Sequence, residues 1–523
     1  MSLTDKVIKN TYYFFIFQVI GFIIPVFLTP FILYKIGNQE FGIYALVLGF
    51  TGMFGLFDMS LSSSFIKFIS EHYNKNEPDE LNYTINTGLF FYIIFSAIFC
   101  GIGFVLAENF ISLFNIPSEL RTLSISAFRI SLAVFFISNS FGIFGSVLVS
   151  LQKMYITSIL GMVTNVLNLV LTILILLGGY GLIGILAVLL LISLINSIVS
   201  FVYVKKEIPS LKISPGGFKV RSLKKMMKIG IPMQISKLST FANEKYDEFL
   251  LASLSVLNNV TLFNVANRVT RYARLFPLQL YQQGAPVAAE LNAKEEKEKL
   301  ILLLRNSTKY MTLVTAPIFI YILVFPDVLM TSWLGTGYEI SMHILRILAF
   351  GQLINMTFTA PANSIIPNIG VPKYQMHEGL ICLGLNIPLS FLFIKYYGVI
   401  GAAYGSVISI TISSIYLYFS SLRFFNQKGL TFLRKIIVKP NIVSLICAAV
   451  IYTAYKLFSG SIYPVLGRKS AIIYLASTGL LFVLSYTLII IKLHYLDERD
   501  KEIILKLLFR VIPFKRFKAE SKG

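Results

Sequence analysis

The chain has 523 residues, 56% of them hydrophobic and only 14% charged, with a formal net charge of +21 and a mean hydropathy of +0.74. A soluble domain carries about 25% charged residues, so this composition excludes one and predicts a polytopic, all-α membrane protein. The apolar runs are continuous and lack period-two alternation, which excludes a transmembrane β-barrel. Cys100, Cys382 and Cys447 lie far apart in apolar segments and suggest neither a metal site nor a disulfide framework. In such a chain the positive charge must be located before it is interpreted, and it is no sign of nucleic acid.

Fourteen hydrophobic spans are predicted, at about 12–34, 41–66, 84–107, 123–149, 155–178, 181–203, 229–254, 260–283, 305–326, 341–366, 374–397, 400–422, 437–458 and 470–491. The first is too long for a secretory leader, lacks a small-residue cleavage site and runs into a second span. If both termini are cytoplasmic, 33 of the 46 Lys and Arg fall on the inner face, 6 on the outer face and the remaining 7 within spans. That bias follows the positive-inside rule and supports both the count and the orientation.

Asp58 in span two and Arg129 in span four are the isolated charges of the first half. Residues 204–228 form a basic cytoplasmic linker with Pro215-Gly216-Gly217, expected to rest on anionic headgroups or simply to signal orientation. Spans seven and eight are exceptional. The first holds Lys237, Glu244, Lys245, Asp247 and Glu248; the second holds Arg268, Arg271 and Arg274. Eight such charges facing lipid would cost ~20–28 kcal/mol, so they must face one another or water. At ~100° per residue, Lys237, Glu244 and Glu248 share a stripe, and the three arginines fan across about a third of their helix. Two helices lining a hydrated, net-positive cavity are the simplest arrangement. After span fourteen, residues 497–517 read as an amphipathic helix on the inner surface.

A weak repeat runs through the chain. Asn168 followed by Gly181-Leu182-Ile183-Gly184 matches Asn386 followed by Gly398-Val399-Ile400-Gly401. The expected organisation is an N-lobe over 1–203, the linker over 204–228 and a C-lobe over 229–424. A pair of extra helices over 425–492 and a basic tail over 493–523 complete it. An even number of spans per lobe makes the two lobes parallel, a plan used by transporters.

Further motifs lie in order along the chain: Lys9-Asn10-Thr11, Ile36-Gly37 with Glu40-Phe41-Gly42-Ile43-Tyr44, Leu56-Phe57-Asp58-Met59-Ser60-Leu61, and Asn264-Val265-Ala266-Asn267-Arg268. With these the chain resembles the bacterial polysaccharide (O-antigen or capsule) repeat-unit flippases of the multidrug/oligosaccharidyl-lipid/polysaccharide exporter superfamily. It departs from their pattern at Ser60, where Gly is usual, and at Leu262-Phe263, where Gly-Tyr is frequent. The resemblance implies a V-shaped, alternating-access transporter of the cytoplasmic membrane. Its cargo would be an undecaprenyl-pyrophosphate-linked oligosaccharide, moved from the inner to the outer leaflet, and a polymerase and glycosyltransferases would be its expected partners.

The residues suit that cargo on their own terms. Guanidinium forks donate in pairs to phosphate oxygens and stay charged. Arg268, Arg271 and Arg274 are the candidate pyrophosphate ligands, with Lys237, Lys245 and Arg129 in support; pairing with the carboxylates of span seven competes with that role. Glu244, Asp247, Glu248 and Asp58 are the candidate couplers to H+ or Na+, with plain salt bridging the competing role. No phosphate-binding Gly-x-x-x-x-Gly-Lys-Ser/Thr loop occurs, and no cofactor, metal or catalytic constellation is expected. The outer loops are too short to house an enzyme's catalytic domain. A lipid II flippase shares the same physics, whereas an ion-coupled drug antiporter would need an acidic cavity.

Overall fold

The computed structural model describes residues 3–54, 61–282, 284–459, 463–493 and 495–496, and nearly all of them are helical. The first half contains α1 (Leu3–Phe54), α2 (Leu61–Asn74), α3 (Pro78–Val105), α4 (Ala107–Ser112) and α5 (Ser118–Phe141). It continues through α6 (Ile143–Ser150), α7 (Met154–Leu177), α8 (Gly181–Glu207), α9 (Val220–Leu254) and α10 (Leu257–Gln282). Then come α11 (Gly284–Ala293), α12 (Lys297–Val324), α13 (Pro326–Leu334), α14 (Glu339–Ile354) and α15 (Ala360–Ile365). The last are α16 (Lys373–Tyr397), α17 (Val399–Phe424), α18 (Gly429–Phe432), α19 (Lys439–Ser459) and α20 (Tyr463–Lys492).

Ten helices among the described residues are long and apolar enough to cross a membrane. That measure does not itself reach fourteen, and the reasons are physical. The first two expected spans run together with no loop between them: two helical segments abut at Gly37, whose non-helical φ of 76° and ψ of 172° suit glycine. Their apolar stretch, Tyr12–Phe50, covers 39 residues. At 1.5 Å per residue the two segments together amount to about 58 Å, roughly twice the hydrocarbon thickness and so enough for both spans. Expected spans seven and eight, on α9 and α10, carry the charge cluster. Expected span ten is interrupted by a π-helical turn at Asn355–Thr359. Large apolar side chains such as Leu174, Ile198, Leu480, Val483 and Leu488 are exposed, which in this composition is a lipid-facing surface.

The chain divides into two compact units. The first comprises residues 1–275, 338–352 and 370–417. One of its cores joins Phe65 and Ile69 of α2, Ile85 of α3, Phe144 and Val147 of α6, Val204 of α8 and Met226 of α9. The linker is not loose. Asn82 of α3 donates to Ser210 O (3.3 Å) and accepts from Lys212 N (2.9 Å). One turn on, Asn86 donates to Lys212 O (2.8 Å) and accepts from Ser214 N (2.9 Å), and Thr87 accepts from Lys219 N (3.0 Å). The two amides thus offer the linker backbone what a neighbouring strand would offer.

The repeated Gly-x-x-Gly has a common physical cause at both sites. Gly181 and Gly398 open α8 and α17 at φ of 54° and 60°, the left-handed region where a side chain is strained. Three residues on, Gly184 would bring a Cβ to 2.7 Å from Ile175 and Tyr180, and Gly401 leaves no room for one against the Phe393 carbonyl. Each pair therefore folds a helix back tightly on the one before it, against side chains at Gly184 and against backbone at Gly401.

The second unit comprises residues 276–337, 353–369 and 418–523. Its core gathers Phe325, Val328, Val443, Phe482 and Tyr486. Tyr486 donates to Leu313 O (2.9 Å), and Arg468 donates to the carbonyls of Ser332 (3.2 Å) and Trp333 (2.8 Å) at the C-terminus of α13. The expected amphipathic tail at 497–517 lies outside the described residues.

Gly401→Ala is expected to lower stability by ~1–3 kcal/mol through overpacking of the α16–α17 turn. Thermal unfolding of the detergent-solubilised protein measures it, and an unchanged midpoint would refute the close-approach role.

Candidate functional site

The first unit contains a cavity of about 360 Å³ walled by α1, α7, α9 and α10. It forms where the charged faces of α9 and α10 meet the broken helix α1. Gly42 permits that meeting, since a Cβ there would stand 2.7 Å from Leu257 O. Thr261 of α10 donates to Asn38 O (2.6 Å), and Tyr338 donates to Asn38 Oδ1 (3.1 Å). The first bond holds the Gly37 break against α10, and the second ties it to the residue that precedes α14.

Among the described residues three cations line the cavity: Lys245, Arg268 and Arg271. Arg268 is oriented by two bonds, Nε to Asn264 Oδ1 (2.8 Å) and Nη1 to Thr29 Oγ1 (3.0 Å). Its guanidinium also lies 5.2 Å from the centre of the Phe41 ring. Lys245 donates to Glu248 Oε2 (2.8 Å), and Arg271 Nη2 stands 4.0 Å from Glu248 Oε1. The Glu248 side chain is only 1% exposed, while that of Arg271 is 38% exposed. Glu248 therefore neutralises one of three cations and leaves the cluster at about +2 when all are ionised. Thr29, Tyr44, Asn165, Asn168, Asn264 and Tyr272 supply the neutral polar lining.

Asp247 neighbours Glu248 in sequence but points elsewhere, because consecutive residues lie about 100° apart on a helix. It is buried, and Ser406 Oγ of α17 donates to its Oδ2. Asn386 Nδ2 of α16 donates to the same Ser406 Oγ (3.2 Å) and to Ser390 Oγ (3.4 Å). The Asp247 Oδ1 atom has no hydrogen-bond partner among the described residues. One helix thus presents one carboxylate to the cationic cavity and another to a neutral polar seam.

Of the candidate anion ligands, Lys245, Arg268 and Arg271 come together in the cavity. Arg274 is not among its lining residues. The spacing of the arginines explains this: each step of three residues turns the side chain by about 60° from the previous one. Arg129 stands apart, 3.8 Å from Glu108 and with its guanidinium 4.6 Å from the Phe104 ring centre. The side chains of Lys237 and Glu244, and the whole of Asp58, lie outside the described residues. Sequence reasoning did not single out Thr29, Asn165, Ser390 or Ser406. Asn264 and Asn168 lay within the motif and the repeat, so a signal for them was present.

The chain matches the family model described as polysaccharide biosynthesis protein over residues 7–277, and the MatE model over residues 236–392. A putative O-antigen transporter of Shigella flexneri is 21% identical over 420 residues, covering 79% of this chain and 97% of the relative. Two solved structures share the fold. The lipid II flippase MurJ, in an inward closed conformation, gives a TM-score of 0.72 at 17% identity over 93% of this chain and 99% of that one. An inward-facing multidrug resistance transporter of the MATE family gives 0.69 at 17% identity over 77% of this chain and 95% of that one.

Glu248→Gln would leave Lys245 and Arg271 without their counter-charge. The expected loss of stability is on the order of 3 kcal/mol, with inorganic pyrophosphate restoring part of it. Unfolding midpoints with and without pyrophosphate measure both effects, and an unchanged midpoint would deny the cluster its structural weight.

Proposed function

This multi-pass membrane protein belongs to the polysaccharide biosynthesis protein family, whose members are transporters and flippases rather than enzymes, and from that premise we propose its cargo and mechanism. The protein translocates undecaprenyl-pyrophosphate-linked oligosaccharide repeat units from the inner to the outer leaflet of a bacterial cytoplasmic membrane. The observation that carries this reading is the cavity's charge: among the described residues, three cations against one carboxylate, two of the cations guanidinium groups. A pyrophosphate diester brings two negative charges and several acceptor oxygens, and the guanidinium fork matches them geometrically. The polyprenyl tail stays in lipid while the head crosses a wet path. The same charge argues against a drug antiporter that captures cations.

Alternating access follows from rocking of the lobes at 1–203 and 229–424 about the linker. Two negative charges moving outward across an inside-negative membrane gain about 4.6 kcal/mol per 100 mV. The potential thus assists transport without nucleotide hydrolysis. Asp247, shielded from the cavity and held by Ser406, is the residue assigned to H+ or Na+ coupling. Both termini are assigned to the cytoplasm, with a polymerase and glycosyltransferases as the functional neighbours.

Arg268→Ala and Arg271→Ala are expected to lower transport of the lipid-linked oligosaccharide in proteoliposomes by at least about tenfold at equal protein level, the worth of one charge-assisted bond. Arg274→Ala is expected to have a smaller effect. Normal transport by both cavity variants would reject the anion role, and transport of lipid II alone would move the assignment to that cargo. Asp247→Asn should abolish any dependence on a proton or sodium gradient, and a retained dependence would clear it of coupling.

A further inference from the structure

The cavity has a second wall that phosphate chemistry leaves unexplained. Asn165 and Asn168 of α7 line it, spaced three residues apart on one helical face. Thr172 Oγ1 donates to Asn168 Oδ1 (3.1 Å), which fixes that amide and leaves its Nδ2 hydrogens for another acceptor. Asn165 makes no side-chain hydrogen bond among the described residues and keeps two donors and an acceptor open. The wall itself is firmly placed. A Cβ at Gly161 would meet the Phe17 ring at 2.5 Å, so that ring of α1 packs directly on the α7 backbone. Gly21 of α1 faces Asn165, and even a Cβ there would stay 3.6 Å from Asn165 Nδ2. Asn165 thus lines the cavity with its amide beside the Gly21 backbone and makes no hydrogen bond to it.

We propose that Asn165 and Asn168 form a carbohydrate subsite that reads the sugar joined directly to the diphosphate; this rests on the flippase reading of the same cavity. Phosphate oxygens only accept hydrogen bonds, and the cations of α9 and α10 already serve them. Hydroxyl and acetamido groups both donate and accept, which is what an open amide pairs with. Neutral amides also add no charge to a cluster already at about +2. The size of the cavity selects which sugar is read. At about 360 Å³ it lies near the lower end of the ~300–1,000 Å³ range of ligand sites. It suits a diphosphate and its first sugar, with the rest of the oligosaccharide outside. A site built to bond hydroxyls discriminates strongly, because its polar groups go unpaired when the ligand lacks them.

The test uses the full-length protein and three probes: undecaprenyl pyrophosphate, the same lipid bearing one hexose, and the same lipid bearing one N-acetylhexosamine. Binding in detergent is measured for the wild type, Asn165→Ala, Asn168→Ala and Asn165→Gln. The wild type is expected to bind at least one sugar-bearing lipid about tenfold more tightly than the bare lipid, the worth of one well-made hydrogen bond. Each alanine variant should lose that increment and bind the bare lipid unchanged, which also reports that it is folded. Asn165→Gln should keep part of the increment. A sugar increment unchanged in both alanine variants, or none in the wild type, overturns the subsite. Failure of the wild type to bind any of the three lipids overturns the flippase reading itself.

Discussion

A guanidinium at membrane depth is tolerable only with water, a counter-charge or an anionic guest beside it, and this constraint organises the first unit. Arg268 is held between Asn264 of its own helix and Thr29 of α1, so its charge is aimed rather than neutralised. Arg271 and Lys245 share a single buried carboxylate. That carboxylate keeps the cluster from flying apart without cancelling it. The surplus of positive charge is what a diphosphate would fill, and the break at Gly37 lets α1 pass close to it.

Much of this was legible in the sequence, for a specific reason. Charges are so scarce in the apolar spans that Lys245, Arg268 and Arg271 stand out, and the cost of exposing them to lipid forces them inward. The neutral lining was harder to read. Thr29, Asn165 and Ser406 are ordinary residues in membrane helices, where small polar side chains usually bond their own backbone. Only tertiary placement tells which of them faces a cavity. Arg274 shows the converse limit. A three-residue spacing resembles a stripe over two positions and drifts off the face by the third. The direct join of the first two spans at Gly37, with no loop between them, likewise rests on a backbone angle that hydropathy does not carry.

The two Gly-x-x-Gly turns show how a faint repeat becomes a physical statement. Glycine is needed at the first position for its backbone angle and at the second for space, in both halves of the chain. The asparagines that precede them sit in different settings. Asn168 faces the cavity, while its counterpart Asn386 bonds the serine that bonds Asp247. One of the two matching amides thus lines the cavity and the other stands beside a buried acid.

The docking of the linker on α3 has its own consequence. Residues 210–219 are stitched to Asn82, Asn86 and Thr87, and α9 begins at Val220. A tether of some two dozen residues in covalent terms has almost no slack in mechanical ones. Any swing of α9 must be absorbed by bending within its first turns, not by paying out loose chain. Cutting the backbone near Pro215 would therefore leave the stitched stub riding on α3, and the helix ahead of it would keep nearly the same anchor it had before the cut.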